Sequence, residues 1–325
     1  MSLKRLKKEM YAAAKRLGLF AAARRFTGSG IRILCYHGVW IANDQFCGDS
    51  LFMRPETFER RLELIRQLDY PVIPLSIAID ALRGRATAPP AAVVLTIDDG
   101  WYSTFSSMWP ALKRCTFPAT LYCDTAHLQE GLPIAHVMAQ YLRKLHPGAP
   151  NGKLIEDMFG QAVDRRLPMR ARLAATVALA ELMEVAIEPY LQGRVFEYMT
   201  PAELKELAQA GLNVELHTHM HTMHDMSPRK IWEEVCANRW ALSRVLECDP
   251  SAFQHFCYPS GIASNEAAMI LANLGLASAT STERGIAYPG SMPFLLPRFV
   301  DGEQISEIEF EAELSGFAGI LRTRA

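Results

Sequence analysis

The apolar positions of this chain change period several times, and the changes divide it into segments. In residues 3–25, Leu3, Leu6, Met10, Leu17 and Phe20 recur at roughly helical spacing with Lys and Arg between them, which predicts an amphipathic helix. Thr27-Gly28-Ser29-Gly30 ends it. From Ile31 the pattern becomes α/β. Short apolar runs at 31–36, 72–75, 93–97, 117–123, 212–216, 253–258 and 277–280 read as strands or extended pieces. Helical patterns at 55–68, 76–82, 102–113, 201–210, 228–246, 264–274 and 305–316 alternate with them, and Pro110 is expected to bend the third. The run Val93–Ile97 is almost continuously apolar, as in a strand buried on both faces of a parallel sheet. Such alternation argues for an α/β architecture.

Residues 131–196 break this rhythm. Helical stretches at 133–145 and 169–192 are separated by a Pro/Gly/Asn-rich turn at 147–152 and a polar segment. They read as an inserted helical cap beside the sheet, or as barrel helices with long connections. The expected organisation is a basic N-terminal helix, 1–27, and a catalytic domain, 28–325, that includes the cap.

Composition narrows the function. The 325 residues carry a net charge of −1, which lends nucleic-acid binding no support. Residues 1–26 hold eight Lys or Arg and one Glu, leaving the rest of the chain acidic. Such a helix can lie on an anionic lipid surface or pack on its own domain with a solvated basic face. Seven cysteines, at 35, 47, 115, 123, 236, 248 and 257, include no CxxC pair, so neither a disulfide framework nor a zinc–thiolate site is indicated. Reduced thiols, and no apolar stretch of signal-peptide or membrane-span type, lead to the expectation of a cytoplasmic protein, in peripheral contact at most with the inner face of the cell membrane.

Two distant segments carry the chemistry. Asp98 and Asp99 end the strand at 93–97 and precede Gly100. Adjacent carboxylates share a dry pocket only if a positive charge separates their roles. A divalent metal does so: one aspartate binds it while the other accepts a proton from water. Asp-Asp-Gly alone also fits a solvated turn. The second segment is Glu215-Leu216-His217-Thr218-His219-Met220-His221, and four of the nine histidines fall between 217 and 224. Two imidazoles four residues apart and one carboxylate suit Zn2+, with Co2+, Ni2+ or Fe2+ as alternatives.

These residues resemble the polysaccharide deacetylase family, the NodB-homology domain of carbohydrate esterase family 4. Thr96-Ile97-Asp98-Asp99-Gly100 is similar to its Thr-Phe-Asp-Asp-Gly motif, with Ile97 in place of Phe. His217-Thr218-His219-Met220-His221 is similar to its His-(Ser/Thr)-x-x-His motif, and Phe256-Cys257-Tyr258-Pro259-Ser260-Gly261 to the Phe-x-Tyr-Pro-x-Gly of one branch. The resemblance spans 31 to about 300 and implies a distorted (β/α)7-type barrel with a helical insertion. It implies metal-dependent hydrolysis of an N-acetyl group, with Asp98 as general base, Asp99, His217 and His221 as metal ligands, and the Tyr258 backbone amide stabilising the oxyanion.

Two departures from the pattern matter. No histidine follows His255, so the family's late Leu-x-His acid is missing. Leu34-Cys35-Tyr36-His37-Gly38-Val39 resembles the Tyr-His-x-Val opening of a branch with permuted barrel order, which makes His37 the expected acid. The Arg-x-Pro-Tyr arginine is also missing, and Arg298 in Leu296-Pro297-Arg298 is the expected replacement that orients Asp98. The expected substrate is an acetylated sugar or glycan inside the cell, whether lipid-linked, nucleotide-linked or a small glycoside. A hydrolase of a non-sugar amide, and less readily an inactive carbohydrate-binding protein, are the alternatives. Trp101 and Tyr102 sit beside the aspartates, where a sugar-stacking wall is one reading, but Trp101 is expected to be a packing residue and not a direct part of the centre. Nothing in the sequence assigns His127 or His136 a role.

Overall fold

The computed structural model describes residues 3–42, 46 and 48–322. Met1 and Ser2 of the expected N-terminal helix, and Cys47, lie outside them. Among these described residues nine strands form: β1 (Arg32–Tyr36), β2 (Gly38–Val39), β3 (Phe52–Met53), β4 (Val93–Asp99), β5 (Ala119–Cys123), β6 (Asn213–Leu216), β7 (His255–Cys257), β8 (Ser278–Thr280) and β9 (Phe299–Val300). Seven of them make one parallel sheet in the order β8-β7-β6-β5-β4-β1-β9, and β2 pairs with β3 beside it.

The sheet curls because its two edges are joined by one segment. Leu296 bridges Thr280 of β8 in parallel, and three residues later β9 pairs with β1. Ser281 N–H donates to Leu296 O at 2.9 Å, and Asp301 N–H donates to Cys35 O at 3.0 Å. The result is a distorted seven-stranded barrel with helices outside. It is the expected architecture.

Strand alternation sorts side chains between two environments. Leu34, Tyr36, Val93, Leu95, Ile97, Leu121, Val214, Leu216 and Phe256 belong to the main apolar core, together with residues of the outer helices Pro55–Gln67, Pro201–Gln209 and Pro228–Leu246. The intervening positions Ile33, Val94, Tyr122 and Cys257 form a separate inner cluster with Leu296, which helix Leu75–Leu82 joins through Leu75, Ala78 and Ile79. Burial on both faces explains why the strands read as nearly unbroken apolar runs.

Several elements differ from the expected ones. The N-terminal helix is two, Leu3–Arg16 and Leu19–Phe26, because Gly18 takes φ 75° and turns the chain. Its apolar stripe is used internally: Tyr11 and Phe20 meet the Phe317 ring at 6.1 and 5.3 Å. Lys15 pairs with Glu311 at 2.6 Å and Lys7 with Glu309 at 3.5 Å. Leu6, Met10, Leu17, Leu19 and Phe26 stay exposed.

Pro110 stands in the first turn of helix Trp109–Cys115, where its missing N–H costs nothing, and a short π-helical turn, Thr104–Met108, precedes it. The polar segment after residue 152 contains a helix, Lys153–Val163. The helix expected over 169–192 stops at Leu182, with Glu184 at φ 57°, and resumes at Glu188–Gln192. These helices and Ala135–Leu145 pack on one another, and they meet the barrel rim through Trp40, Phe52, Trp101 and Tyr198.

Candidate active site

The aspartates, the histidines and Trp101 project from the C-terminal ends of the strands or from the loops that follow, where barrels of this type carry their active groups, and Arg298 joins them from the segment just before β9. Asp98, the penultimate residue of β4, is on its inner face. Asp99, one residue on, belongs by alternation to the other face. Its φ of 80° breaks the alternation, and Gly100 continues the turn at φ 122°. A Cβ at Gly100 would sit 3.0 Å from Cys123 Sγ, so this position needs glycine on two counts. The two consecutive carboxylates thus reach one centre with different surroundings.

Asp99 faces the imidazoles. Its Oδ1 lies 3.4 Å from His217 Nε2 and 3.1 Å from His221 Nε2. Thr218 and His221 have φ of 63° and 50°, so a tight left-handed turn, not a helix, puts both rings on the same side. His217 Nδ1 donates to Cys257 O at 2.8 Å, which leaves Nε2 to face Asp99. The loop is pinned from behind. Asn238 Oδ1 accepts from His217 N–H at 2.9 Å, and Glu234 Oε2 accepts from the N–H groups of His219 and Met220 at 3.0 and 2.7 Å. His219 is turned away, with Nδ1 2.8 Å from Thr125 Oγ1.

The three donor atoms fit a small divalent ion. Ligands about 2 Å from a tetrahedral centre lie roughly 3.3 Å apart, close to the 3.1 and 3.4 Å separations here. The charge pattern agrees. Burial opposes a charged His217, but the neighbouring Cys257, Asp99 and Asp98 outweigh it and push its pKa well up. Burial likewise opposes a charged Asp99, yet the two imidazoles hold its carboxyl well below the usual range. The site demands positive charge between these groups, and a metal ion would supply it.

Trp101 packs as expected, edge-on to Phe52 and Tyr198 at 4.9 Å each, and it also makes a polar contact. Its Nε1–H donates to Asp99 Oδ2 at 2.8 Å, fixing the oxygen that faces away from the imidazoles. The β4 turn makes this possible by returning residue 101 toward residue 99, a contact that no strand or helix period signals.

Asp98 has a separate environment. Arg298, fully buried, donates from Nη1 to Oδ1 and from Nη2 to Oδ2, each at 2.7 Å. The same guanidinium donates to Ser281 O at 2.9 Å and Thr96 Oγ1 at 3.1 Å, so its position is fixed by the segment that closes the barrel. Two thiols complete the shell: Cys35 Sγ is 3.4 Å and Cys257 Sγ 3.3 Å from Asp98 Oδ2. Burial raises the Asp98 pKa, but the charge and hydrogen bonds of Arg298, then His217 and His37, prevail and hold the carboxyl well below its usual range. The two cysteines were not foreseen as site residues; their place on the inner face of β1 and β7 was their only signal.

His37 follows β1. One of its ring nitrogens, an Asp98 oxygen and Cys35 Sγ all lie within 4.8 Å of one another. Its Nδ1 is buried and has no hydrogen-bond partner among the described residues. The structure thus brings Asp98, Asp99, His217, His221, His37 and Arg298 together.

Tyr258 requires a correction. Its backbone N–H donates to Thr280 O at 3.1 Å within the barrel wall, so that amide is not free to bind an oxyanion. Its ring packs edge-on against Phe256 at 5.2 Å.

The comparisons agree with this geometry. Residues 85–279 match the sequence profile of the family described as "Polysaccharide deacetylase". No functionally curated protein sequence is significantly similar. Among solved structures, the deacetylase PplD from Streptococcus pyogenes has a TM-score of 0.60 at 18% identity, over 89% of this chain and 99% of that one. IcaB from Ammonifex degensii has a TM-score of 0.59 at 19% identity, over 89% and 98%. A de-N-acetylase from Aggregatibacter actinomycetemcomitans has a TM-score of 0.58 at 14% identity, over 87% and 99%. Identities this low speak for the barrel alone. The profile match covers more than half of the chain and spans the aspartate and histidine segments, and on that ground this protein belongs to the polysaccharide deacetylase family, a family of carbohydrate N-deacetylases.

Proposed function

We propose that the chain hydrolyses an N-acetyl group on a saccharide, in a metal-dependent reaction that releases acetate and a free amine. The observation that carries this reading is the division of labour between two consecutive carboxylates. One faces two imidazoles at 3.1 and 3.4 Å, while the other is gripped at both oxygens by a buried arginine.

In this reading Asp99, His217 and His221 hold a divalent ion, Zn2+ by its preference for this donor set. Such an ion polarises the acetyl carbonyl and makes water a better nucleophile at neutral pH. Asp98 accepts the proton that water loses on attack. Arg298 keeps Asp98 ionised and aimed, so the base is ready before substrate arrives. His37, with a ring nitrogen within 4.8 Å of an Asp98 oxygen, hands a proton to the departing amine. Trp101 holds Asp99 in its liganding orientation.

The proposed setting is the cell interior, with a lipid-linked, nucleotide-linked or small glycoside as substrate. Its support is chemical: the thiols of Cys35 and Cys257 beside Asp98 are free, as are the other described cysteines, and thiols persist in reducing compartments. The exposed Leu17, Leu19 and Phe26 among the Lys and Arg of the first two helices favour peripheral contact with an anionic membrane. The deciding experiment is a mass-spectrometric screen of metal-loaded protein against acetylated nucleotide sugars, lipid-linked saccharides and short oligosaccharides. Conversion is read as the mass change for replacing acetyl by hydrogen. No conversion of any sugar by folded, metallated protein would reject the reading.

A further inference from the structure

The helical insertion and the metal-ligand loop enclose a cavity of about 360 Å³. On one wall are Met220 and Thr222, the neighbours of His221; on the other are Arg165, Arg166 and Arg172. No lining residue is acidic. The cavity lies against the loop that carries His221: Arg165 Nη1 donates to the backbone oxygen of His221 at 3.2 Å.

The charges in this cavity are not balanced from within. Arg166 is answered by Asp164 at 2.8 Å, and His127 by Asp124 at 3.0 Å. Arg165 is exposed and has no carboxylate partner among the described residues. Arg172 is the more telling case. It is 6% exposed, and its hydrogen bonds go to Ala162 O at 3.2 Å and to His136 Nδ1 at 2.8 Å, with no carboxylate among them. A buried guanidinium without a directly bonded carboxylate is costly, and a second guanidinium nearby raises that cost. Burial first, and then the positive charge of Arg165, lowers the pKa of Arg172, and Asp164, already paired with Arg166, offsets this only in part. Burial first, then Arg165 and Arg172, push His136 down to about 3, so the imidazole that accepts from Arg172 stays neutral and supplies no further charge.

The backbone adds to it. Leu167, Pro168 and Met169 line the cavity at the start of the 14-residue helix Met169–Leu182. That helix has no side-chain cap and no acidic residue in its first turn, so its unpaired N–H groups and the positive end of its dipole are unanswered.

We propose that this cavity is a subsite for an oxyanion carried by the substrate, a phosphoryl or carboxylate group attached to the acetylated sugar, with Arg165 and Arg172 as its cationic partners. The inference rests on the deacetylase reading and deepens it: the enzyme is built for an anionic saccharide. A planar guanidinium pairs with two oxygens of either group. Substrate anion entering here balances the buried Arg172 and places its sugar beside His221.

Two measurements test the proposal on the full-length protein. The first is independent of catalysis: inorganic phosphate is titrated into metal-loaded and chelator-treated protein while the melting temperature is followed. Wild type should be stabilised in both states, whereas Arg165→Gln and Arg165→Glu should lose the shift. Arg165 is exposed, so these variants should fold. Equal shifts in wild type and variants, or none in either, would overturn the subsite.

The second compares a neutral N-acetylated oligosaccharide with an N-acetylhexosamine 1-phosphate and an N-acetylated oligosaccharide containing uronic acid. Arg165→Gln should lower kcat/KM for an anionic substrate about tenfold more than for the neutral one, the order expected for one charge-assisted contact, a ratio that any disturbance of His221 shared by all substrates leaves untouched. Which anionic substrate responds identifies the group; an equal effect on all three would overturn the subsite. Phosphate binding that depends on Arg165, with no deacetylation of any sugar, would reject the deacetylase reading and keep the anion site. Deacetylation without such binding would do the reverse.

Discussion

Asp98 and Asp99 are chemically identical and adjacent, yet their contacts make them opposites. Arg298 binds Asp98 through two parallel hydrogen bonds of 2.7 Å, a geometry that lysine cannot reproduce. Arg298→Lys should therefore lower kcat on the order of a hundredfold while the bound metal is retained, since positioned proton transfer contributes that order of rate. Metal content by mass spectrometry and steady-state kinetics on one preparation check this, and loss of metal would contradict the assignment of Asp98 to proton transfer. The converse holds for Trp101, which donates to Asp99. Trp101→Phe keeps the ring packing and removes the donor. It should weaken metal affinity by roughly tenfold or more, the usual effect of removing a hydrogen bond to a ligand, as read by chelator competition. Asp98, Asp99, His217 and His221 are legible in the sequence because motif chemistry is local. The Trp101 bond and the thiols of Cys35 and Cys257 are not, because they depend on the turn at φ 80° and on which inner positions share a level of the barrel.

At the scale of elements, the strands were readable where burial is two-sided. β4 was expected at 93–97 and runs Val93–Asp99. Helices with strong caps also matched, such as Pro201–Gln209 with its Thr200–Glu203 capping box. The insertion was harder. Helix Lys153–Val163 was taken for a polar segment because Ile155 and Ala162 are its only buried side chains, the remainder of its apolar face being partly exposed. The short strands β7 and β8 carry a titratable lock between them: His255 Nδ1 lies 2.9 Å from Ser278 Oγ. Burial, then the charge of Arg83, lowers the His255 pKa to about 4. The folded value thus lies below that of the unfolded chain, near 6.5. The unfolded state binds the extra proton first, so this contribution is complete above pH 6.5 and is lost as pH falls toward 4. The loss amounts to about 3 kcal/mol at most. His255→Gln should flatten the stability profile in this window. Urea unfolding at pH 7 and pH 4.5 checks it, and an unchanged pH slope in the variant would contradict the assignment.

At the scale of the whole molecule, closure of the barrel assembles the site. The segment 296–301 joins β8 to β1, carries Arg298 to Asp98, and ends at Asp301. Asp301 pairs with Arg61 of helix Pro55–Gln67 at 2.8 Å, with exposures of 0% and 2%. Breaking a buried pair strands its partner, so Arg61→Met should cost about 3–5 kcal/mol. It should also reduce activity more than metal content, because the closing segment holds Arg298 and not the metal ligands. A urea midpoint indistinguishable from wild type would refute the first expectation.

By itself the sequence determined the α/β rhythm, the paired carboxylates, the histidine cluster and the family, because burial on both faces and liganding chemistry are written in runs and spacings of a few residues. Only the tertiary structure decided that Arg298 answers Asp98, that the Tyr258 amide is taken by Thr280, and that Arg172 is buried with no carboxylate among its hydrogen-bond partners. These are contacts between residues tens to hundreds of positions apart. Their energy depends on distance and on exclusion of water, and neither exists until the barrel closes.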